Sequence, residues 1–372
     1  MELARRATLA ILAGLPFADP VLAMAAATEH GGAPPRWLGC RTEPVSGDEA
    51  AALDDGGASP FALHLPARGH SFAVHPTREL AVVFARRPGV FAVAFHSRTG
   101  ERLATFEAEA NRHFAGHGTF DPSGRLLITA ENKFDTGDGT LGVYAVDEGF
   151  RKLAELPGHG IGPHDVAVLP DGKTLAVAVG GILTHPQSKR LKLNLDTMAP
   201  SLVLMDLSSG RLVERFPLEG QLHQLSLRHL SLSPGGHIAC ACQFQGDADA
   251  AVPLVAILDR RGFRLLDELR HRAAELRQYT GSITYDTSGV WLAVSCPKAH
   301  RILILDQDGA IHHEVALEDG CGVAAAGAPG RFVASGGTGR LVEIDAPSGE
   351  TQELAQAAFA WDNHLVPLHL RG

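Results

Sequence analysis

Four histidines stand at nearly the same place relative to a recurring proline. His70 and His164 lie six residues before Pro76 and Pro170, and His117 and His229 lie five residues before Pro122 and Pro234. A fifth, His364, closes the segment Trp361-Asp362-Asn363-His364 near the C-terminus. Imidazole is a good ligand for iron, copper, zinc or nickel, and several imidazoles brought to one point make a transition-metal site. Isolated histidines do nothing of the kind, so what matters is whether the fold makes these positions converge.

Further polar residues accompany the set. His113 precedes His117 in Arg112-His113-Phe114-Ala115-Gly116-His117-Gly118, and His185 lies in Gly180-Gly181-Ile182-Leu183-Thr184-His185-Pro186. Both are added to the candidate metal ligands His70, His117, His164, His229 and His364. Arg86, Arg190, Asn194 and Tyr279 are candidates to contact an anionic ligand or a partner, since guanidinium groups pair well with carboxylates and phosphates. The alternative for them is surface ion pairing and loop capping. No H-E-x-x-H and no G-x-S-x-G occurs, so no catalytic residue is assigned. The five cysteines, Cys40, Cys240, Cys242, Cys296 and Cys321, have no zinc-ribbon spacing and read as small buried apolar residues, with room for one optional bridge.

The elements that position the histidines come from an internal repeat. Its unit is a strand, a Pro/Gly turn, an apolar strand, a gap, a third strand ending near Asp, a turn and a final strand. Asp121-Pro122-Ser123-Gly124 leads into Arg125-Leu126-Leu127-Ile128, and Leu169-Pro170-Asp171-Gly172 into Thr174-Leu175-Ala176-Val177. Ser233-Pro234-Gly235-Gly236, Asp286-Thr287-Ser288-Gly289 and Ala328-Pro329-Gly330 mark later copies. Six copies recur at about 40 to 65 residues, the period of four-stranded propeller blades. A seventh blade is expected from the two ends, with residues 359–370 supplying inner strands and residues 36–65 outer ones, which closes the ring and removes exposed sheet edges. The sequence therefore predicts an all-β, seven-bladed β-propeller over residues 28–372. Residues 182–200 form its longest insertion, within the third blade, and a short helix is expected over residues 270–279. In such a ring the first strand of each blade lines the channel, and the five aligned histidines open on one mouth. The fifth and sixth blades carry Tyr279-Thr280-Gly281-Ser282 and Asp319-Gly320-Cys321-Gly322 there instead.

Composition narrows the function classes. The 372 residues carry 33 Lys and Arg against 42 Asp and Glu, a formal charge of −9, and no basic run lies beyond the N-terminus, which argues against nucleic acid as a partner. Residues 1–27 read as an export signal: Arg5-Arg6, a short apolar run from Ala7 to Leu15, then small residues from Ala23 to Ala27. The paired arginines suggest the twin-arginine route, although Ala7-Thr8-Leu9 follows them. The apolar run is too short to span a bilayer, and no membrane span is expected in the mature chain.

Taken together, Ala85-Arg86-Arg87-Pro88-Gly89, Arg112 to Gly118, Gly160-Ile161-Gly162-Pro163-His164, Gly180 to Pro186, Ser226-Leu227-Arg228-His229, Tyr279 to Ser282, Cys321-Gly322 and Trp361 to His364 form a linked series. It resembles a bacterial family of periplasmic propellers known as domain of unknown function fifteen-thirteen. The resemblance implies a periplasmic location and a role in iron or copper handling, because such proteins are typically encoded beside imelysin-like and di-haem proteins in iron-responsive clusters. It implies no catalytic mechanism. The expected function is a metal- or metal-complex-binding accessory of iron or copper acquisition. A metal-dependent enzyme using the same pocket and an interaction platform without metal are the competing readings.

Overall fold

The computed structural model describes residues 33–368 except 88, 189 and 190. The expected export signal lies outside the described residues. Seven four-stranded antiparallel sheets are arranged as blades. Their innermost strands are Gly69–Val74, Arg112–Phe120, Pro163–Val168, Leu225–Leu232, Ile283–Tyr285, Gly320–Ala325 and Ala360–Pro367, numbered here as blades 1 to 7. Each inner strand touches the inner strand of the next blade, and that of blade 7 touches that of blade 1, so the ring is closed.

Closure uses both ends of the chain, as expected. Trp37–Glu43 pairs with Ala360–Pro367, Leu38 opposite Val366 and Thr42 opposite Ala360, and Gly47–Leu53 and Ala62–His64 complete the blade. The C-terminal segment supplies one inner strand where several were expected, and the N-terminal segment supplies three. Trp37 then ties the closing blade to its neighbour by donating Nε1–H to the Ala325 carbonyl at 2.9 Å.

The apolar runs in the sequence are the middle strands. Leu80–Ala85 is buried at every position, because a middle strand is covered on both faces by adjacent blades, whereas the outermost strand Arg102–Glu107 alternates with solvent. The hydrophobic clusters lie between blades; one joins Ala115, Ile128 and Leu141 of blade 2 to Val166, Leu175 and Val203 of blade 3. The apolar core is thus a set of wedges around the ring. The axis is left to polar side chains.

One expected element differs. The helix anticipated over residues 270–279 is a 3-10 helix at Asp267–Arg272 followed by turns. Arg277 and Gln278 take positive φ of 52° and 57°, which no continuing helix allows. Gln278 instead spends its amide on the Asp247, Ala248 and Ala250 carbonyls of a neighbouring loop. The long insertion in blade 3 joins its second strand, Thr174–Val179, to its third, Ser201–Asp206. Connections between second and third strands emerge on the same face as the start of the inner strand, so this insertion sits at the histidine end of the channel.

Candidate metal centre

The inner strands of all five histidine-bearing blades break register where the histidine stands. The irregularities fall between Gly69 and Phe72, Phe114 and Gly118, Pro163 and Asp165, Leu227 and His229, and opposite Gly39 and Arg41 between Trp361 and Leu365. A β-bulge absorbs extra residues and re-aims a side chain. That is how spacings of five and six residues from the turn proline both deliver an imidazole to the axis.

The convergence is tight. His70, His117, His229 and His364 each offer one ring nitrogen, and these four atoms lie within 4.8 Å of one another. Their ring centroids are 4.4 to 6.1 Å apart. Zinc-type bonds of about 2.0–2.1 Å in a tetrahedron put ligand nitrogens about 3.3 Å apart, so each ring would move inward by at most about 1 Å. The group can therefore hold one metal ion. His164 is the fifth ring on the axis, with Nε2 3.0 Å from His229 Nε2. All five are at most 6% exposed.

Hydrogen bonding fixes which nitrogen faces inward. His70 Nδ1 bonds Asp362 Oδ1 at 3.2 Å and His229 Nδ1 bonds the Gly281 carbonyl oxygen at 2.6 Å, while His117 Nδ1 makes a charge contact with Asp165 Oδ1 at 3.3 Å. Carboxylates and carbonyls only accept, so Nδ1 of His70 and of His229 carries the proton and Nε2 keeps its lone pair, and the Asp165 carboxylate beside His117 Nδ1 favours the same tautomer there. Partners of this kind orient metal-binding histidines and raise their basicity. Both carboxylates act across blades: Asp165 of blade 3 serves His117 of blade 2, and Asp362 of blade 7 serves His70 of blade 1. Burial would raise the Asp362 pKa, but His70, Arg86 and Arg68 outweigh it and hold the carboxyl well below its usual range.

Two nitrogens are left over. His117 Nε2 and His364 Nε2 are buried without a hydrogen-bond partner. A buried polar atom in that condition costs about 1–3 kcal/mol, and a metal ion would satisfy both. Four of the rings, His70, His164, His229 and His364, are held in the neutral, ligating form at neutral pH. Burial lowers the His70 pKa to about 4 against the opposing pull of Asp362, and burial pushes His164, His229 and His364 well below the ordinary value. Gly116 makes room for the cluster: its φ is 102°, and a Cβ there would stand 2.5 Å from His70 Cδ2.

The remaining candidates lie elsewhere. His113 is buried, but its Nδ1 bonds the Phe114 carbonyl at 2.9 Å and its ring stacks on Phe134 at 5.2 Å. His185 meets the same Phe134 edge-on, and its Nδ1 accepts the Gln187 amide. Neither belongs to the four-nitrogen group. Asn194 braces the blade 3 insertion, accepting from the Leu183 amide at 2.7 Å and donating to the Gly181 carbonyl at 2.8 Å. Arg190 lies outside the described residues. Arg86 and Tyr279 do line the channel mouth, in a cavity of about 410 Å³ floored by His70, His164 and His229. A wider bowl of about 980 Å³ opens on the opposite side of the rings, lined in part by His117, His229 and His364. The histidines thus form a plug between two chambers. All five cysteines are buried and free.

Asp165 and Asp362, which face the Nδ1 atoms of His117 and His70, and the cavity-lining Arg228, Lys192 and Lys298 were not among the sequence candidates. The signal for the first two was present, since Asp165 follows His164 directly and Asp362 stands two residues before His364.

Fold and site together define a seven-bladed propeller with a cluster of buried imidazoles on its axis. The chain belongs to the family of proteins of unknown function DUF1513, whose profile matches residues 63–368, from the third strand of blade 7 to the end of its inner strand. No curated protein matches the chain in sequence. Among solved structures it is similar to Kuenenia stuttgartiensis hydrazine synthase, at 17% identity and a TM-score of 0.59, over 83% of this chain and 90% of that one. That likeness concerns the fold, and a fold alone does not choose a function.

Proposed function

We propose that this protein binds one transition-metal ion on the propeller axis through Nε2 of His70, His117, His229 and His364. The observation that carries the reading is the convergence of four buried ring nitrogens within 4.8 Å of one another, with the Nε2 atoms of His117 and His364 left without a hydrogen-bond partner. An all-imidazole set suits copper, iron, zinc or nickel better than magnesium or calcium. The family resemblance favours iron or copper, a periplasmic location after export, and an accessory role in acquisition beside an imelysin-like or di-haem partner. The cavity that reaches the histidines leaves room for an outside ligand, which is also what a metal-dependent enzyme would need.

Elemental analysis of the purified, metal-loaded protein tests the reading. One ion per chain is expected, falling to background in His117→Ala/His364→Ala with the thermal transition of the apo form retained. An unchanged stoichiometry in that double variant would refute it.

A further inference from the structure

The chamber above the histidines is strongly one-signed. Arg86, Arg87, Lys192, Arg228 and Lys298 line it, and no Asp or Glu does so among the described residues. This happens in a chain whose formal charge is −9, where an acidic neighbour would be easy to supply. Arg86 is neutralised by Asp362, 2.7 Å away. The two lysines make different contacts. Lys192 donates to the neutral Gln245 amide oxygen, and Lys298 sits 4.5 Å over the Tyr279 ring.

Arg228 is the most telling of the group. It directly precedes His229, is 8% exposed, and its Nε is buried without a hydrogen-bond partner. No salt bridge to it exists among the described residues. A buried guanidinium without a counter-ion is unfavourable unless something outside the chain completes it. Its planar fork matches an oxyanion edge, and Lys192 and Lys298, both exposed at the rim, add point charges that draw an anion inward. The five cations come from the strand connections of blades 1, 3 and 5 and from the inner strand of blade 4, so the ring closure itself assembles them.

We propose that this chamber binds a small, multiply charged oxyanion, a polycarboxylate or a phosphate, against Arg228 and directly above the axial histidines. The proposal goes beyond metal binding, because Arg228 has no carboxylate partner among the described residues whether or not the imidazoles hold metal. The same chamber would also suit the anionic chelate of a cargo metal.

Calorimetric titration of metal-free protein with citrate, phosphate and sulfate, in chloride buffer, tests it. Saturable binding of one anion per chain is expected, weakening steeply with added salt, with at least a tenfold loss of affinity in Lys192→Gln/Lys298→Gln and a larger one in Arg228→Gln. The lysine pair guards against the chance that Arg228→Gln fails to fold. Preference for citrate over phosphate identifies the carboxylate source, and the reverse identifies the phosphate source. Absence of saturable binding by all three anions would overturn the proposal, as would equal affinity in the lysine variant. Binding seen only after metal loading would also overturn it, since the anion would then be a ligand of the metal and not of the chamber. Loss of metal binding with retained anion binding would count against the metal reading alone.

Discussion

Blades 1 to 4 and 7 bring a histidine to the axis, whereas blades 5 and 6, on the same four-stranded plan, carry Ser282 and Cys321 on the inner strand, with Cys321 packed into the apolar cluster between blades 6 and 7. The backbone offset is shared as well. Gly281 and Ser282 both bond Ser295, and the register of blade 6 shifts between Gly320 and Gly322. What differs is satisfaction. In the two blades without histidine a second-strand serine completes the turn of backbone: Ser295 Oγ accepts the Ser282 amide and donates to the Cys321 carbonyl, and Ser335 Oγ accepts the Gly322 amide. Cys321 is held as a neutral thiol, its pKa raised to about 12 by burial, and its Sγ lies 3.1 Å from the Asp362 carbonyl oxygen. In the histidine blades, two ring nitrogens have nothing to bond. The propeller therefore does not require imidazole at this position. A closed, satisfied axis could be built from serine and glycine, and five blades forgo it.

That contrast can be broken by substitution. The largest effect is expected from removing a histidine of the four-nitrogen group: His229→Ala should lower metal affinity by at least 100-fold, read by competition with a chelator, while Cys321→Ala changes it by less than threefold. Equal losses in the two would erase the distinction between the blades. A smaller loss, about 10- to 100-fold, is expected for Asp362→Asn, because outer partners of metal-binding histidines contribute on that scale. This substitution also loosens Arg68 and Arg86, so its effect on the apo thermal transition should be measured beside metal affinity. Gly116→Ala should act in the same direction by crowding His70 and straining a positive-φ position, with a lower melting temperature as its companion sign.

The mildest test is pH. Folded-state values for His70 and His113 lie at about 4, and burial also lowers His164, His229 and His364, against about 6.5 in an unfolded chain. Between those values the unfolded state binds more protons, so stability of the metal-free protein is fully present above about pH 6.5 and falls as pH drops towards 4. Replacing the axial histidines by glutamine should flatten this dependence in denaturant titrations. A slope unchanged by that replacement would place the titration elsewhere.

The sequence carried the ring and the axial positions because both are periodic. Apolar runs and Pro/Gly turns recur in six blades, and four of the histidines could be aligned on the turn proline. What joins blades was harder to see. Asp165 serves a histidine 48 residues earlier in the chain and Asp362 one 292 residues earlier, pairings that exist only once the ring is closed. His113 was read with its neighbour His117, but the bulge between Phe114 and Gly118 sends their rings to different places. The cationic chamber was legible only through Arg86-Arg87 and Tyr279, since Lys192, Arg228 and Lys298 come from three further blades with no shared spacing.

The central claim is that the axial imidazoles ligate a metal through their Nε2 atoms. Anomalous-scattering diffraction from metal-loaded crystals tests it most directly. The account predicts one peak on the axis, about 2.0–2.2 Å from Nε2 of His70, His117, His229 and His364. A loaded protein whose peak lies away from these rings, with water bridging them instead, would contradict it.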